Sequence, residues 1–429
     1  MKKLVCLLIA LCLAAGLCGA FASEEKTRIV FWHSAADAMG AALEGYVEKF
    51  NLTVGAEKGI VVEPVYQGSY SDSTAKLGSL LSAENLSDLP DVMQMDATGK
   101  LRYMTAPTAY TVDAALSDHP EFDIGDFISA ALSNWRIGGV QLGLPFATST
   151  TLTYYNASLL DEAPDTLTGM MAIPDEYEIE EGVSVYACVP NTPTLANWLG
   201  QLGGYLVNNQ NGSEATATQL SCLEDGTLER FLTVWKELYT SGALVNRASS
   251  TDEFVAGRQM IMTASSSMIA SLEQRIGDSF TLGVSPYLRV DEDAEFGATV
   301  SGSCLVMFDQ GDERREAAWT FVNYMTSDEV QAGFAAATGY IPARLSAVNT
   351  EAWQSFVAEK PEYGVALQQL SLTPEGMCSV SVGPAADFYY TIQDIVTEML
   401  DSDLSVEDTL ILMEEELNGL LSQYLRANS

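Results

Sequence analysis

Short apolar strand patterns alternate with amphipathic helix patterns along the first hundred residues of this chain. The segments 27–35 ("TRIVFWHSA"), 60–68 ("IVVEPVYQG") and 90–99 ("PDVMQMDATG") each predict a buried strand that ends in a polar turn. Helix patterns at 41–51 and 74–85 separate them. This alternation favours an α/β fold with a parallel or mixed sheet, because helical crossovers connect neighbouring parallel strands.

The residues that follow these strands are the first candidates for a binding site. Ligands of open α/β sheets lie beyond the carboxyl ends of the strands. In this chain those ends carry His33, Tyr70 and Asp96. Trp32 and His33 fit packing and a turn better than ligand contact, so we expect Tyr70 and Asp96 to be the residues nearest a ligand.

The chain of 429 residues is too long for one hydrophobic core, so at least two lobes are expected. The strand patterns at 145–156 ("PFATSTTLTYYN") and 299–308 ("TVSGSCLVMF") both begin with small polar residues. We interpret them as the places where the chain crosses between two lobes. We predict a first α/β lobe from 23–148 and 299–344, and a second, mostly helical lobe from 149–298 and 345–429.

The N-terminus has the pattern of an export signal. Lys2 and Lys3 precede the apolar stretch 4–17, and Ala20-Phe21-Ala22 fits a signal peptidase site. Residues 1–22 are therefore predicted to be a signal peptide, and the protein is expected in the periplasm or on the extracellular face of the cytoplasmic membrane. Cys18 ends the apolar stretch, so lipid attachment at this cysteine is the alternative to simple cleavage.

The charge and the cysteines exclude several classes of function. A formal net charge of −37 repels phosphate backbones and anionic lipid surfaces, so neither nucleic acid nor a membrane surface is an expected partner. No cofactor motif is present, and no metal site is expected because the cysteines lack zinc-ligand spacing. One or two disulfides remain possible in an exported chain, and their pairing cannot be read from the spacing of Cys188, Cys222, Cys304 and Cys378.

A set of motifs in a fixed order gives the chain a family resemblance. They are "VFWHSAADAMGAALEGYVEKFN" (30–51), "VYQGSYSDSTAKL" (65–77), "PDVMQMDATG" (90–99), "PFATSTTLTYYN" (145–156), "RQMIMTASSSMIASL" (258–272) and "TGYIPAR" (338–344). Together they resemble an extracellular solute-binding protein of an ABC importer, in the group that binds carbohydrates and glycerol 3-phosphate. The resemblance implies a two-lobe, type II periplasmic-binding-protein-like fold with a ligand cleft between the lobes. It also implies a non-enzymatic monomer that delivers a small molecule to permease subunits in the membrane.

The resemblance also assigns ligand-contacting positions. A carboxylate would accept hydroxyl protons of the ligand, serines and amides would add hydrogen bonds, and tyrosines would offer an apolar face with a phenol. The positions of this sequence that match the family's ligand contacts are Tyr70, Asp96, Ser149, Ser265, Gly302 and Tyr340.

The chain departs from the family where the second lobe would contact the ligand. Glycerol-phosphate binders carry an arginine at the place of "CSVSVGPAADF" (378–388), where this chain has Ser381 or a neighbour. Of the family's second-lobe tryptophans only Trp198 is nearby. A doubly charged phosphate needs a strong local cation. The sequence therefore predicts a neutral, hydroxyl-rich ligand, a sugar or short oligosaccharide, with glycerol 3-phosphate or a glycerophosphodiester as the alternative.

Each of these residues also has a structural explanation, and other classes of protein are alternatives. Asp96 is placed to cap the following helix, the serines could cap helices or bond to the backbone, and the tyrosines could pack on turns. Ser73 and Lys76 form an SxxK pattern, but the partner motifs of that enzyme class are absent. A secreted glycoside-active enzyme needs only two placed carboxylates, so it stays the rival class, followed by a surface adhesin or sensor.

Overall fold

The computed structural model describes residues 26–427 of the chain. The predicted signal peptide at 1–22, with Cys18, lies outside the described residues. Between Lys26 and Ala427, no helix combines the length and the apolar character that a membrane crossing requires.

Thirteen strands are assigned in the described chain. They are β1 (Thr27–His33), β2 (Ile60–Tyr66), β3 (Val92–Met95), β4 (Ala109–Tyr110), β5 (Arg136–Ile137), β6 (Val140–Gln141), β7 (Leu144–Ser149), β8 (Thr151–Asn156), β9 (Ser184–Ala187), β10 (Leu244–Val245), β11 (Gln259–Ser265), β12 (Leu282–Ser285) and β13 (Ser301–Phe308).

The helices follow the strands in a βα alternation at first and dominate the C-terminal part. They are α1 (Asp37–Leu52), α2 (Val54–Lys58), α3 (Tyr70–Ser82), α4 (Lys100–Met104), α5 (Val112–Asp118), α6 (Ser129–Ser133), α7 (Leu167–Met170), α8 (Ile173–Glu176), α9 (Thr192–Gln201), α10 (Thr227–Thr240), α11 (Thr251–Val255), α12 (Ile269–Ile276), α13 (Asp312–Met325), α14 (Asp328–Thr338), α15 (Leu345–Val348), α16 (Glu351–Glu359), α17 (Glu362–Leu372), α18 (Ala385–Asp401) and α19 (Val406–Ala427). Single 3₁₀ turns lie at Leu86–Asp88, Ala97–Gly99, Ile124–Asp126 and Ser266–Met268, and a left-handed turn lies at Asn208–Gly212.

The first sheet has the order β2-β1-β3-β13-β4, and β7 pairs with β13. β1 is parallel to β2 and β3, whereas β13 runs antiparallel to β3, β4 and β7. Helix α1 covers this sheet because Leu43, Val47 and Phe50 recur on one of its faces and are buried. The mixed sheet with a helical crossover is the arrangement that the sequence predicts.

The second sheet has the order β10-β9-β11-β8-β12. Its parallel pairs are β10 with β9 and β9 with β11, and its antiparallel pairs are β11 with β8 and β12 with β8. A core of stacked aromatic rings covers it: the ring of Trp198 lies 5.1 Å from Phe231 and 5.7 Å from Tyr287. Burial of such large rings contributes much of the stability of this part of the chain.

The chain passes between the two sheets at Thr150. β7, in the first sheet, ends at Ser149, and β8, in the second sheet, begins at Thr151. The backbone of Thr150 is held on both sides, since its carbonyl accepts from Ser266 N at 2.8 Å and its amide donates to Ser266 Oγ at 3.2 Å. The chain returns over 286–300, between β12 and β13. The chain therefore changes sheets within 145–156, whereas its return is complete before β13, which lies wholly in the first sheet. The predicted lobes and their boundaries stay predictions.

The four cysteines of the described chain, Cys188, Cys222, Cys304 and Cys378, are all buried and unpaired. The disulfides that the sequence left possible do not form among them. Cys188, Cys222 and Cys304 pack in the hydrophobic cores as small apolar residues, whereas the Cys378 thiol donates to Gln210 O at 3.2 Å.

Candidate functional site

A cavity of about 590 Å³ lies beyond the carboxyl end of β3. We call its sides the proximal wall, formed by Ser71, 96–98 and Leu101, and the distal wall, formed by 192–193, 379–382 and the start of α18 with Tyr389 and Tyr390. Residues 299–302, leading into β13, line the cavity between the two walls. Its size is that of an ordinary small-molecule site.

Asp96 lies on the proximal wall and also caps a turn. Its Oδ1 accepts hydrogen bonds from Thr98 N at 3.2 Å and from Thr98 Oγ1 at 2.6 Å. Burial raises the pKa of the carboxyl above its ordinary value. The structural and the ligand explanations for Asp96 are thus compatible, because one oxygen serves the cap while the side chain lines the cavity.

Helix α3 begins at Tyr70, and Ser69 and Asp72 form a reciprocal capping box at its N-terminus. The Tyr70 hydroxyl is buried near the hydroxyl of Ser303 without reaching hydrogen-bond geometry, and burial raises its pKa. Asp96 and Tyr340 both contribute to the raised pKa of Tyr70, so these three predicted residues lie close together. A buried phenol with no partner is ready to bond to a ligand oxygen.

Tyr340 and Ser265 both lie next to Ser267. The Tyr340 ring packs on Phe334 at 6.3 Å, and its hydroxyl lies near Ser267. Ser267 in turn lies 2.9 Å from Ser265, hydroxyl to hydroxyl, and Ser265 caps the 3₁₀ turn that follows β11. Neither Ser265 nor Tyr340 lines the 590 Å³ cavity; they form a hydroxyl cluster next to Tyr70 instead.

Ser149 and Gly302 belong to neighbouring strands. In the register of β7 and β13, Ser149 pairs with Ser301 and Thr148 pairs with Gly302. Gly302 lines the cavity, and its φ of +101° together with the 1.8 Å approach of Ala147 O to the position of a Cβ requires glycine there. Ser149 is buried in the strand pair, so it lies beside the cavity rather than in its wall.

The distal wall holds residues that the sequence did not single out. Thr192 and Pro193 start α9, and Tyr390 on α18 is 64% exposed. Ser381 stands in this wall at the place predicted for the missing arginine, and its amide donates to Asn211 O at 2.8 Å. Trp198, by contrast, is fully buried in the second core and donates its Nε1–H to Leu288 O, so it makes no ligand contact.

A buried lysine supports the distal wall from behind. Lys100 Nζ donates to Asn134 O at 2.9 Å and lies 3.4 Å from Ser379 Oγ, which is itself a cavity residue. Burial lowers the pKa of this ammonium group. The sequence offered one signal for it, a lysine between small and apolar residues in "ATGKLRYM" (97–104).

The remaining candidates have structural roles. His33 is buried between Phe31 and Tyr66, and burial lowers its pKa, while Trp32 is packed in the first core. Lys76 lies over the Trp32 ring at 4.3 Å and bonds to Gln67. This contact gives the lysine of the SxxK pattern a packing role.

Comparison with known proteins shows the family of the chain. A family model described as bacterial extracellular solute-binding protein matches residues 45–361. The chain belongs to this family. The sn-glycerol-3-phosphate-binding periplasmic protein UgpB of Yersinia pestis is 24% identical over 381 residues, which cover 85% of each chain.

Solved structures of other binding proteins share the fold. The cyclic alpha-maltosyl-1,6-maltose binding protein from Arthrobacter globiformis superimposes with a TM-score of 0.77 at 18% identity, covering 93% of this chain and all of that one. UgpB from Mycobacterium tuberculosis, solved in complex with glycerophosphocholine, gives a TM-score of 0.71 at 21% identity with 93% and 100% coverage.

These matches confirm the predicted family, the α/β fold and the function as solute-binding component of an ABC import system.

Proposed function

We propose that the protein captures a hydroxyl-rich small molecule, first of all a sugar or short oligosaccharide, and delivers it to a membrane permease. The observation that carries this proposal is the cavity that has Asp96 on one wall and hydroxyl and small apolar groups on the other. A carboxylate accepts two hydroxyl protons of a sugar, and apolar patches suit its C–H faces. The exposed ring of Tyr390 adds an aromatic surface to the distal wall.

The proposed ligand contacts are those predicted from the sequence, in two groups. Asp96 and Gly302 would contact the ligand from the cavity wall. Tyr70, Ser265 and Tyr340 form the adjacent cluster, and they would reach the ligand as the lobes close by hinge motion at the crossing strands. Ser149, which lies in the crossing segment, would also contact the ligand.

Glycerol 3-phosphate and glycerophosphodiesters are the second candidates, because relatives named for such ligands share the family and the fold. A phosphate monoester is disfavoured, since no lysine or arginine stands among the described residues that line the cavity. A dianion there would lose its hydration without a direct cationic partner.

We also propose that the protein is exported by residues 1–22, acts as a monomer, binds no nucleic acid and has no catalytic activity. The described chain contains no cluster of three or more His, Cys, Asp or Glu side chains that could hold a metal ion.

Calorimetric titration at moderate salt with glycerol 3-phosphate and a set of mono- to tetrasaccharides tests the proposal. We expect saturable binding of at least one sugar, with the sugar recovered unchanged afterwards. Micromolar or tighter binding of glycerol 3-phosphate with no response to any sugar would replace the proposed ligand by the second candidate. Turnover of an oligosaccharide would support the glycosidase class.

A further inference from the structure

We infer that a polar clamp behind the ligand cavity holds the two halves of the molecule together and thereby sets the affinity for the solute. One side of the clamp is formed by Lys100 and 134–138, and the other side by the turn 208–213 and the segment 375–379. Of these residues only Ser379 lines the ligand cavity. The inference rests on the proposed function, because it needs a solute that contacts both walls.

The two sides of the clamp are anchored in different cores. Trp135 and Ile137 pack in the core of the first sheet. Val207 and Val382, which flank the turn and the segment on the other side, pack in the core of the second sheet. A contact across the clamp is therefore a contact between the two halves, and it must lengthen or break when the halves move apart.

The centre of the clamp is buried. Ser379 Oγ donates to Asn134 Oδ1 at 2.8 Å, and Asn134 is 1% exposed. Lys100, which is buried to the same extent, donates from Nζ to Asn134 O at 2.9 Å and lies 3.4 Å from Ser379 Oγ. A buried ammonium group depends on such partners because it has lost its hydration. The three side chains thus fix one residue of the distal wall to the first half of the molecule.

Two further contacts border a second cavity, of about 430 Å³. Gly138 N donates to Ser213 O at 2.7 Å, and Arg136 Nη1 lies 3.3 Å from Glu375 Oε1. Cys378 lines this second cavity, whereas the next residue of the chain lines the ligand cavity. The segment therefore separates the two cavities, and these two contacts lie behind the distal wall.

The turn of the clamp has a strained backbone. Asn209, Gln210 and Asn211 all have left-handed φ angles, between 50° and 56°. Such strain persists only where neighbouring groups hold it, and it is typical of functional segments. Here Asn211 Nδ2 donates to Cys378 O at 3.1 Å, and Ser381 N donates to Asn211 O at 2.8 Å. The turn thus fixes the distal wall to the second half in one position.

These contacts together favour the arrangement in which both walls border one cavity. The apparent affinity of a ligand falls in proportion to the fraction of molecules that have the binding-competent arrangement. Loss of a clamp contact should lower that fraction, so binding weakens although no ligand contact has changed. The effect should be small for the exposed ion pair and larger for the buried hydrogen bond of Asn134.

The first test reverses one charge of the exposed ion pair in the full mature chain. Arg136→Glu places a carboxylate against Glu375, and we expect it to weaken binding of the tightest solute among mono- to tetrasaccharides and glycerophosphocholine about three- to fivefold. Adding Glu375→Arg should restore most of the affinity, which a merely local structural effect would not do. Lys49→Glu is the matched control, because Lys49 pairs with Glu329 at 2.6 Å, with similar exposure, between two helices that cover the first sheet.

The second test needs no ligand. Small-angle X-ray scattering of the unliganded chain should give a larger radius of gyration for Arg136→Glu and for Asn134→Ala than for the wild type and Lys49→Glu. Thermal unfolding shows whether each variant is folded. Since Arg136 is partly exposed, its variant keeps the test valid if Asn134→Ala does not fold.

The outcomes separate this inference from the proposed function. Unchanged affinity and an unchanged radius of gyration in the folded variants would overturn the clamp and leave the proposed function intact. Tighter binding by Arg136→Glu would also overturn it, because the contacts would then hold the walls apart. A larger radius of gyration together with no response to any solute of the panel would support the clamp and overturn the proposed function.

Discussion

At the scale of single residues, Asp96 combines two roles that are usually treated as alternatives. It caps the turn at Ala97–Gly99 through Thr98, and it presents a half-buried carboxylate to the cavity. The cap requires only an acceptor oxygen, whereas a sugar hydroxyl gains more from a charged acceptor. The two roles can therefore be separated by a substitution that keeps the oxygen and removes the charge.

Asp96→Asn should lower ligand affinity by about 1–3 kcal/mol and leave the free energy of unfolding of the unliganded protein nearly unchanged. Calorimetric titration and urea unfolding measure the two quantities. Asp123→Asn is the control, because Asp123 caps Ile124–Asp126 by accepting from Gly125 N at 3.0 Å, away from the cavity. Unchanged affinity of Asp96→Asn would show that Asp96 is only a cap.

The pH dependence of binding follows from the same carboxyl group. Burial raises the pKa of Asp96 in the unliganded protein, and a ligand hydroxyl that donates to the carboxylate must lower it. Protonation therefore competes with binding. Affinity should be constant above the raised pKa, fall as the pH decreases through it, and level off below the pKa of the complex. Titrations from pH 7 to pH 4 should show this fall in the wild type and not in Asp96→Asn.

At the scale of secondary-structure elements, β13 brings the site together. It pairs with β3, which leads to Asp96, and with β7, which leads to the crossing at Thr150. The register shifts between Gly302 and Cys304, and this bulge places the backbone of Gly302 against that of Ala147. Glycine is needed at this position for packing whether or not a ligand contacts it.

Gly302→Ala should destabilise the unliganded protein by about 2–3 kcal/mol, because φ is positive and a Cβ would overlap Ala147 O. Gly45→Ala on α1 is the control: a Cβ there meets no atom within 4 Å, so stability should stay or rise by about 0.5–1 kcal/mol. Denaturant unfolding measures both. Equal stability of the two variants would contradict the strained bulge.

At the scale of the whole molecule, the two sheets are joined at the crossing segment Ser149–Thr151 and at the return segment 286–300. The cavity lies between elements of the two parts, so a ligand that contacted both walls would favour their approach. The charge of −37 opposes compaction, and this repulsion weakens with salt.

Small-angle X-ray scattering should show a smaller radius of gyration when the tightest ligand of the panel saturates the protein. Asp96→Asn at the same ligand concentration should remain more open. An unchanged radius of gyration at full saturation, established by calorimetry on the same sample, would argue against hinge closure.

The sequence by itself determined the family, the α/β class and the crossing strand at 145–156. These depend on local patterns: strand and helix periodicity, the turn after each strand, and motifs in order along the chain. The same local chemistry predicted the capping role of Asp96, because a cap needs only the residues that immediately follow it.

Only the tertiary structure decided how the distal wall is built. Thr192, Ser381 and the N-terminus of α18 are far apart in the chain, and each looks like an ordinary helix start or loop residue on its own. Trp198 is similar: its ring fits a sugar site or a core equally well until Phe231 and Tyr287 enclose it. Lys100 is likewise fixed by distant segments, because its Nζ donates to Asn134 O and to Ser379 Oγ. The burial of a residue and the direction of its hydroxyl depend on contacts between distant segments. Such contacts cannot be predicted from local sequence patterns.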